Sequence, residues 1–510
     1  MIISLSVLVI TIIVSGTYAL YKAQLSKNIG VNTTTHGLAY YINYVKGTDI
    51  TAATLNPSTS YEGGASSDIE FWKKDDSYDI YGKIELTVNT IGTNLSNSPA
   101  LKYAVVNNGN VLKEGSLKGT TSGSKVTILK NLYLEQTKQI YTVYVWLDNS
   151  EELGNISNES LSISVDCTAS LQKEPTAADT IISLYTSAAK VTATNNSIRY
   201  NTAPSVSLMN DRLGGTTTDL DGGNIRYYGA NPNNYIYFNC SDYSNQTSST
   251  CETWRIIGVF DGKLKLIRGS QIGKYSWDNK NTSTGAENDA GKNDWTTARL
   301  MKLLNPSNYY KVDSNDNNLG QSLYYNSASG KCYSGQNNAT VDCDFTSTGI
   351  KNAETRNMIA ETTYNLGGWN SNSVYSNQIY EYERGTTVYS GRPTTWKGKI
   401  ALAYPSDYGY AADLNQCKDK TLYDYDNRTC TSNNWMKAII TNNGSNTGWL
   451  LTPRSGSSSN AWYVNSGGFV SRDSIAYVAY GAVPVLSLSS ELGIESGGDG
   501  SSSKPYKLSA

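Results

Sequence analysis

The sequence predicts a multidomain protein in which an all-β sandwich precedes an α+β domain. The chain has 510 residues, which is more than a single hydrophobic core normally serves. Its first third repeats apolar side chains at every second position, the period of a half-buried strand. The remainder mixes such strands with segments of helical period, and this change of pattern separates the two parts.

Residues 1–19 have the features of an export signal. The apolar run Ile2–Val14 is too short to span a bilayer comfortably, and small residues follow it up to Ala19, which suits cleavage by signal peptidase. A buried core strand at the terminus is the alternative. We therefore expect an exported protein, either secreted or displayed on the extracellular cell surface.

Residues 20–168 are predicted to form the β-sandwich. In "KIELTVN" and "SLSISVDC" every second residue is apolar, and "QIYTVYVWLDNSEELGN" is a longer alternating strand that ends in an acidic turn. An Asn-Asn-Gly turn joins two further strands in "KYAVVNNGNVLKEG". Alternating strands separated by turn residues are typical of a sandwich of two sheets.

Residues 169–199 are predicted to be a helical linker between the two domains. Pro175 lies near the expected helix start, and Ile181, Leu184 and Ala188 follow at helical spacing. This spacing predicts a short amphipathic helix.

Residues 200–510 are predicted to be one α+β domain. A strand meander is expected to turn at Asp261-Gly262. One helix is expected in "DWTTARLMKLLNP", where Asp294 can cap the start. A second is expected in "NAETRNMIAETTYNLGGW", where two glycines end it. Strands are expected again towards the C-terminus.

The seven cysteines are predicted to form three local disulfides. Neighbouring cysteines bracket short polar segments, and the pairs are Cys240 with Cys251, Cys332 with Cys343, and Cys417 with Cys430. Short loops of this kind are typical of disulfides in an oxidising compartment. Zinc is the alternative, but the sequence has neither a C-x-x-C motif nor a second histidine. Cys167 is left over, free or intermolecular.

Composition favours recognition over catalysis and over nucleic-acid binding. The formal net charge of −2 gives no attraction for nucleic acid. The chain has 39 Tyr against 5 Phe, and each Tyr side chain combines apolar area with a polar hydroxyl. Such side chains suit partly hydrated binding surfaces or, alternatively, the surface of any strand-rich secreted protein. The single histidine, His36, has no acidic or cysteine partner at ligand spacing, which leaves few routes to general-base or zinc chemistry. We therefore expect no enzyme.

Two groups of carboxylates are nevertheless candidates for chemistry. Asp219 and Asp221 lie at alternate positions beside glycines, a pattern that can bind calcium, although no Glu closes the EF-hand spacing and an Asp-rich turn is the alternative. A second group could hydrolyse a glycan or peptide if two of its members met in one cleft. Its members are Glu381, Glu383, Asp407 and Asp413, for which structural ion pairs are the alternative. No other cofactor is expected.

The first domain resembles the camelysin and biofilm-fibre family. The resemblance is carried by the segment ending in "SGTYALYK", by "YTVYVWLDNSEELGNISNESLSISVDC" and by the sandwich between them. Members are exported by gram-positive bacteria and have a jelly-roll-like sandwich. The resemblance therefore implies such a sandwich here, which assembles with itself or anchors the protein. The family is sometimes classed as metallopeptidase, but this domain has no H-E-x-x-H motif, and protease activity is not implied.

The end of the chain resembles the formylglycine-generating-enzyme-like, C-type-lectin-like surface proteins of bacteria. The matching residues are Trp449, Leu450, Thr452, Pro453, Trp462, Val464, Gly467, Gly468, Gly481, Val483, Pro484, Val485, Leu486 and Leu488. The resemblance implies a C-type-lectin-like fold that binds a ligand. It does not imply formylglycine-enzyme catalysis, because that needs cysteines near the C-terminus and none follows Cys430.

The same fold carries the variable proteins of diversity-generating retroelements, in which a C-terminal segment drifts while its scaffold is kept. The resemblance therefore implies a binding surface, diversified in sequence, between "WLLTP" and "VPVLSL". Its candidate residues are Ser457, Ser458, Ser459, Tyr463, Asn465, Ser471, Arg472, Asp473, Ser474 and Tyr477. An ordinary surface hairpin is the alternative.

Within this segment we expect a β-hairpin. Gly467-Gly468 is predicted to turn the chain between two strands. Strand alternation then places Trp462 and Val464 in the core, with Tyr463 and Asn465 facing outward.

These observations predict an adhesin-like protein that binds a surface glycan or a protein ligand. The assignment of the serines and of the "SRDS" segment to the binding surface requires Ser471–Ser474 to be exposed to solvent. A structural fibre or biofilm-matrix subunit that assembles through the sandwich is one alternative, and a glycan or peptide hydrolase is another. No nucleic-acid partner is expected, and contact with a membrane is expected only through the export segment.

Overall fold

The computed structural model describes residues 23–25, 41–51, 55–151, 153–196, 198–212, 222–243, 245–279, 290–311 and 319–509. The chain divides between Glu174 and Pro175 into two compact units. The predicted export segment, His36 and the calcium candidates Asp219 and Asp221 lie outside the described residues. No helix in the described part of the chain is both long enough and apolar enough to cross a bilayer.

The first unit is built mainly from strands. They are β1 (Ala23–Leu25), β2 (Ile42–Val45), β3 (Ile50–Thr51), β4 (Pro57–Ser58), β5 (Ala65–Lys73), β6 (Tyr81–Ile91), β7 (Leu101–Asn107), β8 (Asn110–Ser116), β9 (Lys125–Tyr133), β10 (Ile140–Asp148) and β11 (Leu161–Ser170). A short helix, α1 (Thr93–Asn97), lies between β6 and β7. The segments predicted as strands form β6, β7, β8, β10 and β11, so the strand prediction is confirmed for them.

These strands form two sheets that enclose one core. The first sheet has the order β1-β11-β6-β9, with β3 also on β11, and the second has the order β2-β5-β10-β7-β8, with β4 also on β10. Ile84 and Leu86 of β6 and Val143 and Val145 of β10 are fully buried in the same cluster. The unit is therefore a sandwich-like pair of sheets. Cys167 is free and buried in this core, so it is not available for an intermolecular disulfide in the folded unit.

The second unit combines many strands with short helices. The helices are α2 (Ala177–Ser187), α3 (Arg299–Leu304), α4 (Ala353–Met358), α5 (Ser376–Glu383), α6 (Pro405–Tyr410), α7 (Arg428–Ser432) and α8 (Trp435–Ile440). The strands are β12 (Val191–Asn195), β13 (Ile198–Ala203), β14 (Leu208–Asn210), β15 (Ile225–Tyr227), β16 (Tyr235–Phe238), β17 (Glu252–Phe260), β18 (Lys263–Arg268), β19 (Gly273–Ser276), β20 (Ser329–Gly335), β21 (Ala339–Asp344), β22 (Thr362–Asn365), β23 (Thr395–Gly398), β24 (Ile400–Ala401), β25 (Gly448–Pro453), β26 (Asn460–Val464), β27 (Val470–Ile475), β28 (Ala479–Ala482), β29 (Val485–Ser487), β30 (Gly493–Ile494) and β31 (Leu508–Ser509).

Two larger sheets organise this unit. A nine-stranded sheet has the order β12-β13-β14-β15-β17-β18-β29-β24, with β16 on β17, and a five-stranded sheet has the order β19-β28-β25-β26-β27. The β17–β18 turn is at Asp261 and Gly262, whose φ angles are 48° and 71°, as the Asp-Gly pair predicted. The protein is therefore a β-rich chain of two units, the second of which also contains helices.

Apolar clusters cover both faces of the five-stranded sheet. Leu450 and Trp462 belong to one cluster, while Trp449, Leu451 and Ala461 belong to another. Because successive residues of a strand point to opposite faces, strands β25 and β26 read as almost continuously buried.

Helix α2 belongs to the core of the second unit, which differs from the linker predicted for residues 169–199. Its buried residues Ala177, Ile181 and Tyr185 pack in the same cluster as Trp254 and Leu266. The helical prediction is confirmed, but its apolar face is buried by tertiary packing.

The other two predicted helices are shorter than expected. Asp294 accepts a hydrogen bond from the N–H of Thr296, and helix α3 begins only at Arg299. Helix α4 ends at Met358, after which β22 pairs with β23. Strand pairing with a distant segment overrides the local helical pattern there.

All three predicted disulfides are present in the second unit. They join Cys240 to Cys251, Cys332 to Cys343, and Cys417 to Cys430. Disulfides are characteristic of oxidising compartments, so they favour a location outside the cytoplasm.

Candidate recognition surface

The turn of the β26–β27 hairpin is at Gly467-Gly468, as predicted. Asn465 accepts a 2.8 Å hydrogen bond from the N–H of Gly467 through its side chain, and its own carbonyl accepts from the N–H of Gly468 at 2.8 Å. Gly468 has a φ of 112°, and a Cβ atom there would lie 2.9 Å from Cγ2 of Thr431. The Tyr408 hydroxyl donates to the Gly468 carbonyl at 2.8 Å and fixes the turn against the core.

Side chains of β26 alternate between the two faces of the sheet. Trp462 and Val464 are fully buried, which confirms their predicted place in the core. Tyr463 points the opposite way, but it is half-buried because that face also meets an apolar cluster. Its ring lies 5.6 Å from that of Tyr480, which in turn lies 4.8 Å from Trp449. Tyr463 is thus part of an aromatic row and only partly faces outward.

Three of the candidate serines are buried. Two of them, Ser471 and Ser474, are the ends of the segment predicted to be exposed, so that prediction is wrong for its ends. Ser458, Ser471 and Ser474 are 8%, 4% and 6% exposed. The physical reason is the covering of both faces of the sheet. Ser471 lies opposite Tyr463 in the strand register, under the side chain of Asn372. These three serines do not face solvent.

The middle of the segment does reach the surface, where it forms a charged network. Asp473 is exposed and lies 2.5 Å from Nη1 of Arg454 and 2.6 Å from Nη1 of Arg472. Arg454 also donates to Oδ1 of Asn370 at 2.7 Å, and Arg472 donates to the Asn370 carbonyl at 2.8 Å. We call Asn370, Arg454, Arg472 and Asp473 the recognition cluster.

Buried polar side chains hold the loop before β26 in place. Asn293 is fully buried, and its Nδ2 lies 3.0, 2.7 and 2.9 Å from the carbonyl oxygens of Arg454, Ser457 and Asn460. Arg392 donates to Oδ1 of Asn293 at 3.1 Å and to the Ser458 carbonyl at 2.8 Å. The loop that carries Arg454 is therefore anchored from the protein interior.

A close approach between two loops completes the surface. A Cβ atom on Gly456 would lie 2.2 Å from Oδ1 of Asn370, so only glycine leaves room for that side chain. Gly368 similarly faces the Pro453 carbonyl, at 2.2 Å from its would-be Cβ. The loops of residues 368–373 and 453–459 thus pack directly on each other.

The remaining candidate residues are half-buried. Ser457 and Ser459 donate to Oδ1 of Asn460 at 3.1 and 3.3 Å, and the Tyr477 carbonyl accepts from the Ser276 hydroxyl at 2.7 Å. Of the predicted set, Arg472 and Asp473 therefore belong to the recognition cluster, and the others do not.

Sequence reasoning did not assign Asn293, Asn370, Arg392 or Arg454 to this surface. Arg454 directly follows "WLLTP" and stood next to the candidate segment. Asn293 and Arg392 carry no local signal, because their role depends on carbonyl groups far away in the sequence.

The carboxylates proposed for hydrolysis differ in burial. Glu383 and Asp407 are buried, Glu381 is exposed, and Asp413 is half-buried, where it accepts from the N–H of Asn415. Glu383 accepts hydrogen bonds from the N–H and the hydroxyl of Ser406 at 2.9 and 2.5 Å. Burial raises the pKa of Glu383 to about 7, against the opposing effects of Arg384 and Ser406.

Asp407 is the centre of a buried ion-pair network. It pairs with Nη1 of Arg226 at 2.9 Å and with Lys265, and Arg226 also contacts Asp211 at 2.5 Å. Burial alone would raise the pKa of Asp407, but Lys265 and Arg226 outweigh it and hold that pKa below its ordinary value. These contacts match the ion-pair interpretation for Asp407, and Glu383 lies 3.4 Å from Nη1 of Arg384.

Within the described ranges, no three His, Cys, Asp or Glu side chains are grouped in a way that could hold a metal ion. The calcium prediction for Asp219 and Asp221 stays a prediction, since both lie outside those ranges.

Comparison with known proteins identifies no relative. No protein-family model and no curated protein matches the chain. Crystal structures of two HCR/D mutants align at 12% identity over 51% and 50% of this chain and 75% of theirs, with TM-scores of 0.15 and 0.16. The receptor binding domain of botulinum neurotoxin mosaic serotype C/D aligns at 12% identity over 52% of this chain and 75% of its own, with a TM-score of 0.15. Scores this low carry no argument about fold or ligand.

Proposed function

We propose that this chain is an exported, adhesin-like protein whose second unit binds a glycan or a protein on a cell surface. The observation that carries the proposal is the recognition cluster, in which exposed Asn370 and Asp473 and half-buried Arg454 and Arg472 hold one another in fixed positions at the surface. Its donors and acceptors lie on two loops and one strand that contact one another directly.

Pre-organisation is the physical basis of this proposal. A flexible loop loses conformational entropy when it binds, whereas a loop already anchored by Asn293 and Arg392 loses little. Guanidinium groups offer several N–H donors in a fixed plane, which suits hydroxyl, carbonyl and carboxylate oxygens of a ligand. The three disulfides support an extracellular site of action.

The test is a binding screen of the full chain against glycan arrays and bacterial or host cell surfaces. We expect Asp473→Ala and Arg472→Ala each to weaken any binding found by about tenfold, since each removes a hydrogen-bonded charged group. Asp342→Ala is the matched control, because Asp342 is in an exposed strand pair with Lys331 on β20–β21. Equal binding by all three variants would contradict the proposal.

The C-type-lectin-like fold and the diversified segment belong to the same proposal. A hairpin between two buried flanks supports them, and half-buried Arg472 and exposed Asp473 are the positions where variation would change the surface most. The neighbouring DNA decides the matter. A reverse transcriptase with an adenine-differing copy of the segment would support diversification, and their absence would exclude it.

A structural fibre subunit is a second candidate, favoured by the place of β1. This three-residue strand pairs with β11 at the edge of the first sheet, where Leu25 lies opposite Cys167 in the register. Such an edge position suits the exchange of a strand between copies. Electron microscopy of the purified full chain would show polymers if this candidate is correct and monomers if it is not.

We propose no hydrolytic activity for the chain. Glu383 and Asp407 are already engaged by Ser406, Arg226 and Lys265, which supports a structural role. Turnover of chromogenic glycosides or peptides that is lost in Glu383→Gln would overturn this view.

A further inference from the structure

A cavity of about 420 Å³ in the second unit shares no residue with the recognition cluster. It lies along β17 and β18, and its lining includes Tyr235, Thr253, Arg255, Ser270 and Ile439. This volume is within the range of pockets that hold a small molecule, roughly 300–1,000 Å³. Nothing in the proposed function accounts for it.

The unusual group in this cavity is Arg255. Its side chain is only 6% exposed, with Nε 2.5 Å from Oδ1 of Asn234 and Nη2 3.2 Å from the Pro232 carbonyl. No described carboxylate forms an ion pair with it, and Nη1 has no hydrogen bond among the described residues. Burial lowers the pKa of Arg255 to about 10, and the group nevertheless carries its charge at neutral pH.

A buried unpaired charge is costly, so its presence needs a reason. The ring of Tyr235 lies 3.6 Å from the guanidinium carbon and that of Trp435 lies 5.0 Å from it, which provides partial compensation. Neutral rings do not replace a counter-charge. An anion entering the cavity would complete the site.

The neighbouring charges define what kind of anion fits. Arg268 and Glu252 also line the cavity, but Nε of Arg268 lies 3.0 Å from Oε2 of Glu252, so their opposite charges cancel. The cavity therefore holds one net positive charge, from Arg255. One carboxylate balances this single charge, whereas a doubly charged phosphate would leave an excess negative charge in the cavity.

The other lining groups suit a sugar. The hydroxyls of Thr253 and Ser270 lie at exposed positions on the rim, and Ile439 adds an apolar patch. Hydroxyl groups and apolar ring faces of a sugar match such a mixed lining. We propose that this cavity binds a sugar that carries one carboxylate, with Arg255 donating to that carboxylate.

The first experiment titrates the full chain with glucuronate and with glucose, observed by saturation-transfer NMR and calorimetry. We expect glucuronate to bind and glucose, which lacks the carboxylate, to bind at least about tenfold more weakly. Equal binding of the two sugars, or no binding of glucuronate, would overturn the proposal.

Variants then locate the site. Thr253→Trp fills the mouth of the cavity from an exposed position and should abolish glucuronate binding, while Ser502→Trp, at an exposed position outside the lining, should leave it unchanged. Arg255→Gln should weaken binding by about tenfold or more. Because Arg255→Gln disturbs a buried group, Thr253→Trp is the decisive variant, and unchanged binding in it would refute the assignment.

Two further probes separate the ligand class. The probes are inorganic phosphate and N-acetylaspartate, an acidic amino-acid derivative. If either probe binds this cavity and glucuronate does not, the sugar assignment is refuted. Displacement of glucuronate by neither probe would support it. The result is independent of the proposed function, because recognition-cluster variants such as Asp473→Ala leave this cavity intact.

Discussion

At the scale of single residues, the second unit depends on buried charges that find their partners across long sequence distances. Asp407 contacts Arg226 and Lys265, and all three side chains are at most 7% exposed. None of these pairings could be predicted from the sequence, because an isolated Asp in "YPSDYGYAAD" has the same local pattern whether it is a surface residue or a buried one. Only the packing of α6 against the nine-stranded sheet brings these charges together.

Removing Asp407 should strongly destabilise the second unit. Asp407→Asn keeps the shape of the side chain but leaves Arg226 and Lys265 buried without their shared counter-charge, which costs about 3–5 kcal/mol of unfolding free energy. Denaturant-induced unfolding measures this loss. Asp342→Asn, in an exposed pair, is the control and should cost less than about 1 kcal/mol. A loss in Asp407→Asn as small as in the control would contradict the network.

Glu383 should make the stability of this unit depend on pH. Burial raises its pKa from an ordinary 4.5 to about 7, so the folded state keeps a proton that the unfolded state releases between these values. The folded state is favoured most below pH 4.5, and that contribution, about 3 kcal/mol, is lost as the pH rises through 7. Unfolding measured at pH 5 and pH 8 should show a smaller difference in Glu383→Gln than in the unchanged protein. The same pH difference in both would show that Glu383 does not titrate in this way.

At the scale of elements, the β26–β27 hairpin shows what the sequence could and could not predict. The turn at Gly467-Gly468 and the burial of Trp462 and Val464 followed from local chemistry and strand period. The burial of Ser471 did not, because it depends on a second apolar layer contributed by other segments. When both faces of a strand are covered, a polar side chain such as that of Ser471 can be buried, provided that a hydrogen-bond partner lies within reach.

The hairpin turn offers a matched pair of glycines. Gly468→Ala should destabilise the protein by roughly 1–3 kcal/mol, because its φ of 112° is strained for any residue with a Cβ atom and Thr431 is in the way. Gly467→Ala should have a much smaller effect, since the nearest atom to its would-be Cβ is the Asn465 side chain at 3.2 Å. Thermal unfolding of the two variants compares them, and similar midpoints would be inconsistent with the geometry.

At the scale of the whole molecule, the two units differ in what stabilises them. The first has a continuous apolar core and a single buried thiol, Cys167, while the second has three disulfides. The division into a β-rich first part and a mixed second part could be predicted from hydrophobic period and cysteine spacing alone. The position of the boundary between the two units could not be predicted, because it depends on which of the two cores buries helix α2.

Reduction should therefore affect only one unit. Each disulfide closes a loop of 11 or 13 residues, which stabilises the folded state by about 3 kcal/mol in the chain-entropy model. Calorimetry of the full chain with a thiol reductant should show the transition of the second unit moving to lower temperature while that of the first unit stays in place. Equal movement of both transitions would contradict this assignment.

The anchoring of the loop before β26 by Asn293 has an evolutionary consequence. Asn293 binds the carbonyl oxygens of Arg454, Ser457 and Asn460, and every amino acid supplies such an oxygen. The path of the loop is thus set by a residue that lies outside it. Apart from Gly456, which packs against Asn370, side chains in the loop can be exchanged, one generation after another, without the backbone having to find a new conformation.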